Sequence, residues 1–201
     1  MSENEIREPI QKRSIEKKEK IIQYGFELIC QKGYYNTNTA EIAKAAGVST
    51  GIVYQYFKDK HDILLEGIKR YAKDIFFPML NITSSEKINK DNLETVLRKM
   101  INTFIENHKL SQSAHEEITA MIHSDKEISN FFHEHELYMT DKIVNVLNNS
   151  NICPDYLEEK VHISINLIDD LCHEIVYHKH KEMNYEVMVN LVIETIMNLL
   201  K

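Results

Sequence analysis

The sequence predicts an all-α chain of about nine helices, and three observations carry that expectation. The chain has only five glycines among 201 residues, at Gly25, Gly33, Gly47, Gly51 and Gly67, so its last two thirds contain none. Proline is confined to Pro9, Pro78 and Pro154. A chain so poor in turn formers beyond Gly67 has little means to build hairpins, a β-sandwich or a glycine-rich phosphate loop. Apolar residues also recur at the three-to-four spacing of a helix face, as at Ile22, Phe26 and Ile29.

The elements follow in order. Residues 1–13 are polar and carry Pro9, which predicts a frayed arm. Ser14 is placed to cap a first helix from about Ile15 to Gln31, and Gly33 stands where a left-handed cap would end it. A second helix begins near Asn38, whose side chain can accept a backbone N–H while Glu41 reaches back, a capping box. Ala45, Ala46 and Gly47 allow a close helix approach and a turn with positive φ. Ser49 is positioned to cap a third helix, Thr50 to Phe57, that turns Val53 and Phe57 inward.

Asp59 can cap a fourth helix through Ile63, Leu64, Ile68, Tyr71 and Ile75, which Pro78 ends or kinks. Residues 81–90 (NITSSEKINK) read as a polar connection. Further helices are expected at about 91–108, 112–123, 126–148, 155–180 and 185–200. No window approaches the roughly eighteen unbroken apolar residues of a membrane span, and residues 1–20 are too charged for a signal peptide. Cys30, Cys153 and Cys172 lie far apart with no CxxC spacing, which predicts reduced thiols in a cytoplasmic protein.

The formal net charge of −7 is unevenly spread. Residues 11–60 hold 9 Lys+Arg against 5 Asp+Glu, whereas residues 61–201 hold 14 against 23. A modestly basic head on an acidic body suits a protein that touches a polyanion with one end only. The second and third helices, joined by the turn at Gly47, form a helix-turn-helix whose second member can enter a DNA major groove. Thr37 and Asn38 would meet phosphate at the start of helix two. Ser49, Thr50 and Gly51 open helix three with little bulk, Tyr54 and Tyr56 offer hydroxyls, and Gln55 can pair two-pronged with adenine. Lys58 and Lys60 would clamp the backbone. The same tyrosines could equally be packing residues of a small helical bundle.

The segment GYYNTNTAEIAKAAGVSTGIVYQYFKDKHDILL, from Gly33, resembles the N-terminal signature of the TetR family of bacterial one-component transcriptional regulators. The resemblance rests on Gly33-Tyr34, Thr37, Ile42-Ala43, Ala46-Gly47-Val48-Ser49, Gly51, Tyr54, Phe57, Lys58, Lys60 and Leu64 or Leu65, and covers about residues 14–65. Tyr56 departs from it at a place where histidine is frequent, and Asn38 where threonine or serine is common. It implies DNA contacts from Thr37, Ser49, Thr50, Gly51, Tyr54, Gln55, Tyr56, Lys58 and Lys60, with Asn38 added on the reading above. It further implies a homodimer on an inverted-repeat operator in double-stranded DNA at the nucleoid, acting as a repressor released by a small-molecule effector. No enzyme activity, cofactor or membrane attachment is implied. The corresponding division is an arm at 1–13, a DNA-binding domain at 14–60 and an effector and dimerisation domain at 61–201.

The last helix, YEVMVNLVIETIMNLL, is apolar nearly all round, and the helix before it carries two apolar faces. A dimer interface through Leu171, Ile175, Val189, Val192, Ile193 and Ile196 explains this, as does a larger core within one chain. Phe104, Met121 and His173 are candidates for the effector site. Ten histidines raise a metal- or haem-sensing alternative. Asp169 and His173 share a helical face, and His123 or His162 would have to complete a ligand set. No liganding spacing is completed within the sequence, so no metal is assigned. A helical enzyme is a third reading, without a nucleophile elbow, phosphate loop or HExxH to support it.

Overall fold

A computed structural model describes residues 12–85, 87–108 and 112–201, and among these the chain is helical with no strand. The nine described helices are α1 (Lys12–Lys32), α2 (Thr39–Ala45), α3 (Thr50–Tyr56), α4 (Lys60–Ser85), α5 (Leu93–Asn107), α6 (Gln112–Ser124), α7 (Lys126–Asn149), α8 (Leu157–Tyr177) and α9 (Tyr185–Leu199). The all-α expectation holds. The expected arm up to residue 11 lies outside the described residues, while Lys12 and Arg13 already belong to α1, so Ser14 sits inside that helix.

One boundary is corrected. Pro78 does not end α4, which continues to Ser85 and takes up half of the connection expected at 81–90. Proline removes one backbone rung, but Ile82 and then Ile88 are buried, at 6% and 4% exposure. Two apolar anchors within a polar stretch hold the chain to the core past the proline.

The chain folds as two compact units, each with its own packing. The first lies within Met1–Lys73 and Leu110–Ile128, the second within Asp74–Lys109 and Ser129–Lys201. The sequence division at residue 60 follows the motif, whereas the units follow packing, and α6 joins the first unit because it packs on α1.

In the first unit Ile21 and Ile29 of α1, Ile42 of α2, Val53 of α3, and Ile63 and Leu64 of α4 are fully buried. Each such side chain stabilises the fold by about 1.5–3 kcal/mol. The helices can meet because glycines stand at the crossings. A Cβ on Gly25 would come within 2.6 Å of Ile63 Cγ2, and one on Gly67 within 2.6 Å of Phe26 Cβ.

In the second unit α5 buries Leu93, Val96, Leu97, Met100, Ile101 and Phe104, a three-to-four spacing that gives one continuous stripe. That stripe packs on α8 and α9, which also pack on each other. α8 contributes Val161, Ile168, Leu171 and Cys172, and α9 contributes Ile193 and Ile196. Among the described residues no helix is long and apolar enough to cross a membrane. Cys30, Cys153 and Cys172 are free thiols. Burial, with Glu117 and Glu27 nearby, pushes the Cys30 thiol up to about 12, so it is inert at neutral pH.

Candidate nucleic-acid interface

The helix-turn-helix is built by local backbone chemistry. Asn38 accepts the Glu41 N–H at 3.0 Å, and the Glu41 carboxylate accepts the Asn38 N–H at 3.3 Å, so the capping box is complete. Glu41 also pairs with Lys32 at 2.6 Å, and the Lys32 ammonium with the Asn38 bond holds its carboxyl below the usual range. The N-terminus of α2 therefore carries its own carboxylate, which disfavours a phosphate there.

α2 ends in a Schellman turn. Gly47, at φ 67°, donates to Lys44 O at 3.2 Å, and Val48 donates to Ala43 O at 3.0 Å. Ser49 stands at the N-cap of α3 without a side-chain capping bond, contrary to expectation. Its carbonyl accepts from Ile52 and Val53, and its hydroxyl stays on the exposed side.

Rotation of α3 is set by what it buries. Val53 at 0%, Tyr56 at 6% and Phe57 at 2% exposure face inward. Ser49, Gly51, Tyr54, Gln55 and Lys58 are consequently exposed, and Thr50 is half-buried. The Tyr54 hydroxyl lies 2.9 Å from Thr39 Oγ1, which ties the exposed edge of α3 to the first turn of α2. Thr39 was missed in the sequence because its role depends on a partner fifteen positions away. Tyr35, 79% exposed, is a second large polar group on the head that periodicity does not single out.

Three expected contact residues are placed otherwise. Tyr56 is a packing residue of α3. Thr37 is 2% exposed, and its hydroxyl donates to Gly33 O at 2.9 Å. Lys60 turns inward, where its ammonium donates to Thr37 O at 2.8 Å and to Tyr34 O, over the Tyr34 ring at 4.3 Å. Thr37 and Lys60 hold the loop before α2 rather than present their polar groups outward. Asp59 caps α4 as expected, accepting from His61 N–H at 2.7 Å and Asp62 N–H at 3.3 Å.

The other expected sites sit as follows. Phe104, 1% exposed, and His173 belong to the second unit, but Met121 lies on α6 in the first. The three do not make one effector pocket within either unit. Leu171, Ile193 and Ile196, at 4%, 2% and 0% exposure, are spent in the core of their own chain and offer a partner almost no surface. Ile175, Val189 and Val192 are half-buried. The well-exposed apolar residues of α8 and α9 are instead Ile163, Val187 and Leu191. Periodicity missed this because α9 has apolar side chains on both faces, and only packing shows which face is covered.

The expected third partner of Asp169 and His173 is also corrected. His162 lies 3.4 Å from Glu136, and His123 is exposed in the first unit. The buried His108, at the end of α5, occupies that place, and desolvation holds its ring below the usual histidine range.

Residues 21–66 match the family model described as bacterial regulatory proteins, tetR family. The fatty acid metabolism regulator protein of Bacillus subtilis is 32% identical over 91 residues, covering 45% of this chain and 47% of that protein. The HTH-type transcriptional regulator HbdR of an Aromatoleum species is 46% identical over 54 residues, 27% of this chain and 24% of that protein. The chain thus spans less than half the length of these curated relatives. A provisionally assigned TetR-family regulator from Mesorhizobium loti superposes with a TM-score of 0.73 at 21% identity, over 94% of this chain and 98% of that one. That likeness is one of fold.

Proposed function

We propose that the chain, whose residues 21–66 match the model of the tetR family of bacterial regulatory proteins, is a member of that family and represses transcription as a homodimer on an inverted-repeat operator. On this reading residues 14–60 hold the DNA and residues 61–201 carry the dimer face and the site of a small-molecule effector that releases it. The protein works in the cytoplasm, on the nucleoid.

The observation that carries the reading is the exposed set on α3 and at its two ends: Ser49, Gly51, Tyr54, Gln55 and Lys58. Gly51 leaves room for backbone to approach a groove floor, Gln55 has an amide suited to adenine, and Lys58 a charge suited to phosphate. A buried inner face keeps that set in one orientation. With Thr37 and Lys60 committed to the loop and Asn38 to the capping box beside the Glu41 carboxylate, the phosphate-binding share falls to Tyr54 and Lys58. A dimer face through Ile163, Val187 and Leu191 fits the exposed apolar surface of α8 and α9, at 49%, 48% and 55% exposure.

Operator fragments selected from genomic DNA and titrated at several salt concentrations test this. Lys58→Ala is expected to weaken all sites evenly and lower the salt slope by about 1, while Gln55→Ala costs about 1–3 kcal/mol at one base position. Binding that ignores both substitutions and salt would sink the proposal. Leu191→Glu is expected to shift sedimentation from dimer towards monomer; a monomeric wild type would remove the dimer from it.

A further inference from the structure

We propose that His108, Asp169 and His173 form a binding site for one divalent first-row transition-metal ion of the zinc class. One ligand atom from each residue can be chosen so that all lie within 4.8 Å of one another. Asp169 and His173 are one turn apart on α8, with Asp169 Oδ2 3.3 Å from His173 Nδ1. Metal–ligand bonds of about 2.0–2.1 Å in a tetrahedron put neighbouring ligand atoms roughly 3.3–3.4 Å apart. That edge of the site is therefore already at the required length, and side-chain rotation has to close the others.

His108 supplies the independent observation. It is 7% exposed, and its Nδ1 lies 2.8 Å from the Phe104 carbonyl. A carbonyl oxygen only accepts, so Nδ1 carries the proton and Nε2 is left with its lone pair. A histidine whose second nitrogen is pinned to a backbone carbonyl is the form in which proteins usually offer imidazole to a metal. The His108 ring stands edge-on to His173, with centroids 5.1 Å apart and an interplanar angle of 85°. Two imidazoles and one carboxylate leave a coordination position for water or for a ligand of the ion. Asp169 also borders a small apolar cavity of about 30 Å³ with Phe104, Met139 and Ile165. The bland alternative, an ordinary i,i+4 pair on a helix, accounts for Asp169 and His173 but not for the buried His108 with its fixed tautomer. The site stands independently of whether the chain acts on DNA.

The test uses the full chain, stripped of metal and titrated with cobalt(II), then competed with zinc(II). One equivalent per chain is expected, with the strong visible absorption of four- or five-coordinate cobalt, abolished by zinc. Asp169→Asn and His173→Gln sit at partly exposed positions, so their helicity should match wild type, and each should weaken cobalt binding at least tenfold. Cobalt should raise the melting temperature of wild type and of neither variant. A double variant, His178→Gln with His180→Gln, should leave spectrum and affinity unchanged. No spectrum at one equivalent, retained binding in Asp169→Asn and His173→Gln, or its loss in the His178/His180 variant would each overturn the site.

Discussion

The head and the body each keep their shape through a different kind of contact. Between Gly33 and Asp62, polar side chains clip backbone groups: Asn38 and Glu41 to each other's N–H, Thr37 to Gly33, Lys60 to Tyr34 and Thr37, and Asp59 to the first turn of α4. In the second unit the joints are apolar, as with Phe104, Met139, Ile168 and Ile196, although α9 keeps a side-chain cap in which Asn184 accepts the Val187 N–H at 3.2 Å. α5 has no side-chain cap bond at Asn92, and α8 starts from Tyr156 at φ 58° without one. Polar clips fix local angles, which a surface that must fit a groove requires. Apolar packing fixes volume and tolerates changes of detail.

The contrast can be broken from the body first. Phe104→Ala should cost about 3–5 kcal/mol in urea denaturation, the largest effect expected, because the side chain is 1% exposed. In the first unit, Gly67→Ala sets about 1 kcal/mol of gained helix propensity against overpacking of about 1–3 kcal/mol. With Phe26 Cβ and Cγ at 2.6 Å, beside the α1 backbone, the clash should win. A stabilised Gly67→Ala protein would show that α1 and α4 can move apart.

The polar clips come next. Lys60→Met keeps most of the stem and deletes two bonds to carbonyls, for an expected loss of about 2 kcal/mol from charged hydrogen bonds. An unchanged midpoint would mean that the ammonium points outward in solution. Asn38→Ala should cost about 1 kcal/mol through its cap.

The smallest effect is a pH dependence. Burial alone would raise the Asp125 carboxyl, but the Ile128 N–H, His61 and the Glu127 N–H outweigh it and hold it below the usual range. The stability it adds is complete above the ordinary carboxylate value and lost as pH falls through its depressed one. Asp125→Asn should therefore flatten the fall in stability in that acid window, read from denaturation midpoints across the pH range.

How much was legible in the sequence follows the same division. The cap at Asn38, the turn at Gly47 and the role of Asp59 were readable, because each partner lies within about four residues. Lys60 was not, since a flexible lysine reaches phosphate or carbonyl equally well, and only the folded loop from Tyr34 to Thr37 decides. Nor was the covered face of α9, where Ile193 and Val187 are equally apolar and only the position of α5 and α8 distinguishes them. His108 lies sixty-one residues before Asp169, a distance across which no spacing rule operates.

The clip made by Lys60 has a mechanical consequence. Lys60 is the first residue of α4, yet its ammonium is fastened to carbonyls of the loop that feeds α2. The start of α4, that loop and the capped first turn of α2 are thereby welded into one piece. A twist reaching the first turn of α4 is therefore passed on to that loop and to the start of α2 rather than absorbed between them.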